Sequence, residues 1–303
     1  MIIYLDQNKW IEIAKIHHGK NKEKIAVQAL EVLRKAVAAT KVILPLSGIH
    51  YMETARISNA GRKYRLGSVM GSLSKGYTIA SYRNIVLNEC KLALSRYFDN
   101  IQETPFKLIG RGIEHAFGES FEHTYPPEIE VLIERSFLTG ESPDGEKGPE
   151  FRNVKYREEF CEHLRSLPKL KKELPRDKWD DALYAIAMAD IIEPLSEVMI
   201  HYRISPDKLG KLGVEKLRSL VDAMPSRAVD VHLHRQILKN PSLSPQPGDL
   251  EDWAGLGVAV QYCDLVICEG HFADLVQRDK FGTKAEVCTR IEVLTEKLNA
   301  YQG

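Results

Sequence analysis

The chain carries no net charge: 42 Lys and Arg balance 42 Asp and Glu over 303 residues. A strongly basic chain captures nucleic acid by bulk counterion release. This one has no such excess, so any nucleic-acid affinity must come from local patches. It has no Cys-x-x-Cys pair, and its five cysteines, Cys90, Cys161, Cys263, Cys268 and Cys288, are odd in number. That argues against a disulfide scaffold and a thiolate zinc site, and reads as small core residues in a reducing compartment. No apolar run approaches the ~18 residues of a membrane span, and no basic segment leading into an apolar stretch marks a secretory signal. The expectation is a cytoplasmic protein without a membrane partner. There is no glycine-rich phosphate loop, which removes support for nucleoside-triphosphate chemistry. Internal repeats and low-complexity tracts are also missing.

What is present is an ordinary globular composition, 44% hydrophobic and 28% charged, long enough for one large domain or two smaller ones. Ile2–Leu5 is an unbroken apolar run, the pattern of a strand covered on both faces. Helical periodicity comes next over Lys9–His18 and Lys22–Ala39, separated by Gly19. Val42–Pro45 reads as a second strand, and Ser47 as the cap of a helix starting near Gly48. From about Arg62 to Asn240 nearly everything reads as helix. The clearest stretches are Asn84–Phe98, Pro127–Leu138, Phe151–Leu167, Lys178–Met199, Pro206–Ala223 and Ser226–Leu238, with a short strand at Tyr77–Ala80. Gly140–Gly148 is an exposed loop by composition, and Asn240–Gly248 a turn-rich linker. Beyond it, Asp249–Tyr262 reads as a helix, Leu265–Cys268 as a strand, His271–Arg278 as a helix, Ala285–Thr289 as a strand and Ile291–Tyr301 as a last helix. The expected organisation is an α/β sheet domain built from both ends, residues 1–61 and 241–303. A helical insertion or subdomain spans residues 62–240.

Several acids stand at element ends. Asp6 directly follows the first strand. Glu53 lies in the helix after the second. Asp249 and Asp252 occupy the first turn of the helix leading to Asp264, which precedes a later strand. In parallel sheets, strand carboxyl ends and the following helix amino ends collect around one crevice. Carboxylates gathered there repel one another unless a hard cation such as Mg²⁺ or Mn²⁺ neutralises them. Such a cation activates water for displacement at phosphorus. The ordinary alternatives are a turn aspartate or helix cap for Asp6, a solvent-facing residue for Glu53, macrodipole preference for Asp249 and Asp252, and a strand-start residue bonded to a loop for Asp264.

Tyr4-Leu5-Asp6-Gln7-Asn8-Lys9-Trp10, Leu44-Pro45-Leu46-Ser47 leading to His50-Tyr51-Met52-Glu53, Asp249-Leu250-Glu251-Asp252, and Tyr262-Cys263-Asp264 leading to Cys268 together resemble the PIN-like ribonucleases. The resemblance covers about the first and last 60 residues. It implies a PIN-like three-layer α/β/α fold with a central, mostly parallel sheet, Mg²⁺ or Mn²⁺ dependence, and hydrolysis of RNA phosphodiesters, with DNA left open. Asp6, Glu53, Asp249 or Asp252, and Asp264 match the family's acids in order, so these five positions are the candidate catalytic and metal-binding residues. Asp252 is preferred for the third place because it lies about a turn deeper. Where compact members carry a Thr-x-Asp after the fourth strand, this chain has Cys268-Glu269-Gly270, so Glu269 either serves there or the position is unused.

Supporting roles attach to four further residues. Asn8 is placed to bond Asp6 or cap the first helix. His50 lies on the Glu53 face to orient it or meet phosphate, with plain packing the weightier reading. Arg56 and Arg227 are candidate phosphate contacts. His232 and His234, two apart on a helix, face different ways and do not read as a shared zinc pair. Asp180 and Asp181 read as dipole-favoured surface. The basic clusters Arg62–Arg65 and Lys169–Lys172 read as solvated faces or phosphate tracks. Two other functions compete. One is a non-catalytic PIN-like module that binds nucleic acid or protein through the insertion. The other, a haloacid-dehalogenase-like phosphatase, needs a carboxylate two residues after Asp6, where Asn8 stands. A neutralising partner protein and self-association are both left open.

Overall fold

The computed structural model describes residues 1–119, 126–141, 154–240, 246 and 249–302. The Gly140–Gly148 loop and the Asn240–Gly248 linker fall almost entirely outside these residues, as do the side chains of residues 168–171 in the second basic cluster.

The chain is mostly helical around two small sheets. The first half runs β1 (Ile3–Leu5), α1 (Gln7–His17), α2 (Lys24–Ala38), α3 (Gly48–Ala55), α4 (Ala60–Ser74), β2 (Tyr77–Ile79), α5 (Tyr82–Ser95), β3 (Ile109–Arg111), α6 (Gly112–Phe117) and α7 (Pro127–Thr139). The middle continues with α8 (Val154–Glu173), α9 (Trp179–Asp190), α10 (Ile192–His201), α11 (Pro206–Gly210), α12 (Val214–Asp222) and α13 (Pro225–Lys239). The chain closes with α14 (Asp249–Tyr262), β4 (Leu265–Ile267), α15 (Gly270–Gln277), β5 (Glu286–Cys288) and α16 (Val293–Gln302). Among the described residues no helix is long and apolar enough to cross a membrane.

The main sheet is parallel, in the order β1-β4-β5, with Ile3 opposite Leu265 and Leu5 opposite Ile267. The expected second strand at Val42–Pro45 is reduced to a parallel bridge between Ile43 and Ile2, beyond which Leu46 bridges Thr78. Pro45 removes one ladder donor from the segment. Strand β2 pairs antiparallel with β3 in a separate two-stranded sheet. Strands β1 and β4 are fully buried, as their unbroken apolar sequence requires.

Helices cover both faces. Ile3, Leu5, Trp10, Leu33, Leu44, Met70, Leu138 and Ile267 share one core, and Tyr4, Ile85, Leu164, Leu233, Leu256 and Val266 share the other. Alternate residues of β1 thus feed opposite cores, at roughly 1.5–3 kcal/mol for each large side chain removed from water. Residues from 62–240 enter both cores, and two smaller clusters belong to that stretch alone. Helix α14 packs so closely on β1 that a Cβ at Gly255 would stand 2.8 Å from the Tyr4 hydroxyl. Glycine at this point lets the helix sit against the strand that precedes Asp6. Behind it, the buried Glu89 carboxylate accepts from the Ser226 amide (3.0 Å), the Ser226 hydroxyl (2.6 Å) and the Tyr262 hydroxyl (2.6 Å), joining α5, α13 and α14.

Candidate functional site

Strands β1 and β4 are parallel and in register, so the residues after each strand emerge at one edge of the sheet. Asp6 comes directly after β1, and Glu269 stands two residues after β4. Helix α14 runs back across the sheet into β4, which brings its amino end, with Asp249, Glu251 and Asp252, to the same edge. Helix α3 supplies Glu53.

Three cross-links hold these pieces together, each at or beside an acid. Gln7 Nε2 donates to Thr54 Oγ1 at 3.0 Å, which brings the residue after Asp6 to the residue after Glu53. Arg56 donates to Glu251 Oε1 at 2.7 Å, joining α3 to α14. Asn8 Nδ2 donates to Glu269 Oε1 at 2.6 Å, joining the start of α1 to the end of β4. Asp6 itself caps α1, accepting from the Gln7 amide at 2.7 Å, while its own amide donates to Ile267 O at 2.9 Å.

The electrostatics make this one cluster. Burial pushes Glu53 up to about 8, and Asp6, Asp252 and Glu251 push it further in the same direction against the pull of Arg56. Burial, then Asp6, Asp249, Glu269 and Glu251, raise Asp252 to about 7. Asp6 rises to about 6, chiefly through burial and then Glu269, tempered by the Gln7 amide and Lys9. Glu89 shows the contrasting case. It too is raised by burial, but Ser226 and Tyr262 oppose the rise with three hydrogen bonds. A buried acid so satisfied is a structural joint. Acids raised by one another at a sheet edge mark a place that favours a proton or a cation.

Asp264 does not belong to this cluster. It precedes β4 and so stands at the opposite edge of the sheet, about 13 Å away along the strand. There its Oδ2 accepts from the Ile2 amide at 2.7 Å and its Oδ1 lies 3.6 Å from Lys284 Nζ, pinning the start of β1 to the start of β4. His50 is also corrected: at 1% exposure it meets no phosphate and does not orient Glu53. Its Nδ1 accepts from the Ser47 amide at 2.9 Å, so Nε2 carries the proton and donates to Leu5 O at 2.8 Å. The ring closes the α3 capping box onto the end of β1, and burial lowers its pKa to about 4.

Asn8 bonds Glu269 rather than Asp6, and the cap of α1 is Asp6 itself. Arg56 is ion-paired inside the cluster. Arg227 is buried away from it, 3.4 Å from Asp230 and 3.9 Å from Asp190. Asp249 accepts from the Gln246 amide at 2.7 Å and adds its charge at the rim. His232 and His234 turn to different partners, Leu275 O at 3.0 Å and His163 Nε2 at 3.3 Å. Asp180 and Asp181 are surface ion-pair partners of Arg235 and Arg218.

One member of the cluster, Glu251, is not singled out by the sequence pattern, and another, Glu269, is left there as an alternative to an unused position. Glu269 is the first acid after β4, so strand polarity alone points to it over Asp264. Glu251 looks no different from its acidic neighbours, because only the packing of α14 shows which of them turns inward.

Among the described residues no three His, Cys, Asp or Glu side chains converge closely enough to form a ready-made ion cage. The cluster offers carboxylate oxygens that are not gathered around one point. Mg²⁺ and Mn²⁺ are held through as few as one or two carboxylates and keep several waters. Gln7 Oε1, buried and without a hydrogen-bond partner among the described residues, adds a further oxygen in need of one. Comparison of the chain with protein-family models, with curated proteins and with solved structures found no significant match.

Proposed function

We propose that this chain is a divalent-metal-dependent nuclease of the PIN-like type, acting on RNA phosphodiesters. The observation that carries the reading is the gathering of Asp6, Glu53 and Asp252, beside Glu251 and Glu269, at the carboxyl edge of β1 and β4, where burial and then neighbouring acids raise the pKa of the first three. Asp6, Glu53 and Asp252 would hold the cation, with Asp249 and Glu269 adding charge beside them. The cation, when bound, supplies Lewis-acid activation of water and charge stabilisation at phosphorus. The chain's own groups do the rest. Arg56 neutralises Glu251 and keeps α3 docked on α14. Asn8 fixes the rotamer of Glu269, and the Gln7–Thr54 bond sets the separation of Asp6 and Glu53.

Asp6→Asn keeps the α1 cap and removes one charge. It is expected to lower Mn²⁺-dependent RNA cleavage by at least about 100-fold with an unchanged circular-dichroism spectrum. Full activity in that variant rejects the proposal. A second reading, a non-catalytic PIN-like binding module, draws on the fact that Asp6 and Asp249 both serve as backbone caps. Calorimetry separates the two: no Mn²⁺ binding at millimolar metal favours the module.

A further inference from the structure

Helices α3 and α14 meet at two points, whose order runs oppositely along the two helices. Arg56 meets Glu251 at one end of the seam, and Ile49 lies 3.6 Å from where a Gly255 Cβ would stand at the other. The acids Glu53 and Asp252 belong to the first end. At the second end the helices part into a cleft of about 340 Å³, lined by Ile49, Met52, Phe117, Ala254 and Val258, with Tyr82 on its wall. Met52 adjoins Glu53 in sequence, and Ala254 follows Asp252 by two residues, a rise of about 3 Å, so cleft and acids share the same stretch of both helices.

Tyr82, the first residue of α5, keeps 38% of its surface open. The Arg227 guanidinium lies over its ring, 5.4 Å from the centroid. Arg227 is itself buried and held between Asp230 and Asp190. The ring is therefore braced from within by a fixed cation and presented outward, which reduces the rotamer entropy a stacking partner must remove. An apolar slot with a braced aromatic wall is the environment in which an unpaired base stacks.

We propose that the cleft between α3, α5 and α14 is a nucleobase subsite. It seats one unpaired base of an RNA strand whose adjoining phosphodiester lies at the carboxylates. This rests on the nuclease reading for the identity of the strand. The volume suits a single nucleoside and excludes a base held in a duplex, so the site selects single-stranded substrate. For reading base edges the lining offers the Ser47 and Ser81 hydroxyls and Arg83, whose guanidinium is ion-paired with Glu197, so discrimination among the four bases is weak.

The test is fluorescence anisotropy with a short unstructured RNA oligonucleotide, its duplex, and a version carrying abasic sites, run beside Mn²⁺ calorimetry on every variant. Tyr82→Ala is expected to weaken single-strand binding about 10-fold, and Tyr82→Phe to stay within about twofold of wild type, because stacking needs the ring and not the hydroxyl. Ala254→Phe fills the slot and is expected to weaken binding by at least about 10-fold. None of the three should alter the Mn²⁺ isotherm. Abasic RNA should bind more weakly to wild type and equally to wild type and Tyr82→Ala. Wild-type affinity in both Tyr82→Ala and Ala254→Phe, equal affinity for duplex and single strand, or no RNA binding by wild type overturns the subsite. Failure of wild type to bind Mn²⁺ overturns the nuclease reading instead, and the oligonucleotide comparisons still decide the cleft.

Discussion

Glu53→Gln is the sharpest perturbation of the acidic crevice, because it removes one charge without emptying the space. In the folded chain Glu53 titrates at about 8 instead of its ordinary 4.5. A carboxylate raised on folding contributes stability that is fully present below its unfolded pKa and is lost as pH climbs through the folded value. The metal-free protein is therefore expected to become less stable from about pH 5 to about pH 8.5. At about 1.36 kcal/mol per pH unit, Glu53 accounts for roughly 2–4 kcal/mol of that loss, the lower end reflecting the water that still reaches it and the repulsion it shares with Asp6 and Asp252. Urea melts in chelator across this range measure the slope. Glu53→Gln should flatten it and be the more stable protein at the alkaline end. Saturating Mn²⁺ should also flatten the wild-type slope, adding about 2.7 kcal/mol at a hundredfold excess over Kd. Identical slopes in wild type and Glu53→Gln, or wild-type stability that rises with pH, would show that the acids do not share one desolvated crevice.

Asp264→Ala is expected to cost about 1–2 kcal/mol in urea melts through the lost Ile2 bond, with an unchanged Mn²⁺ isotherm; a tenfold loss of Mn²⁺ affinity would return Asp264 to the site. Gly67→Ala drives a methyl to 2.2 Å from Leu138 O, where α4 crosses α7. It should destabilise the chain by about 1–3 kcal/mol, read as a lower urea midpoint, and a neutral effect would mean that the two helices separate freely.

The chain's two ends are the most legible part of the sequence, because buried parallel strands have a pattern that little else imitates. Ile2–Leu5, Asp249–Tyr262 and Leu265–Cys268 lie within a residue or so of β1, α14 and β4. Asp6, Glu53 and Asp252 are legible from their positions at element ends. Asp264 misleads because proximity to a strand says nothing without the strand's direction. A residue before a parallel strand and one after it lie on opposite edges of the sheet. Breaks within the helical stretch are less visible. Lys178–Met199 divides at Ile191, where Pro194 has no amide to return to Asp190. Pro206–Ala223 divides at Gly213, whose φ of +78° ends helical geometry. The antiparallel partner of β2 at Ile109–Arg111 is three residues long and includes Gly110, too short to show any alternation.

The bond from the Ile2 amide to Asp264 spans 262 positions of sequence. Strand β1 therefore leaves the ribosome early with only the Ile43 bridge to pair with, and its ladder with β4 waits until Leu265–Ile267 have been made. Contacts of such long range are slow to form and leave apolar edges open in the interval. Asp6 and Glu53 are synthesised first but meet Asp252 and Glu269 only when α14 and β4 arrive, so the acidic cluster assembles late, from segments far apart in the sequence.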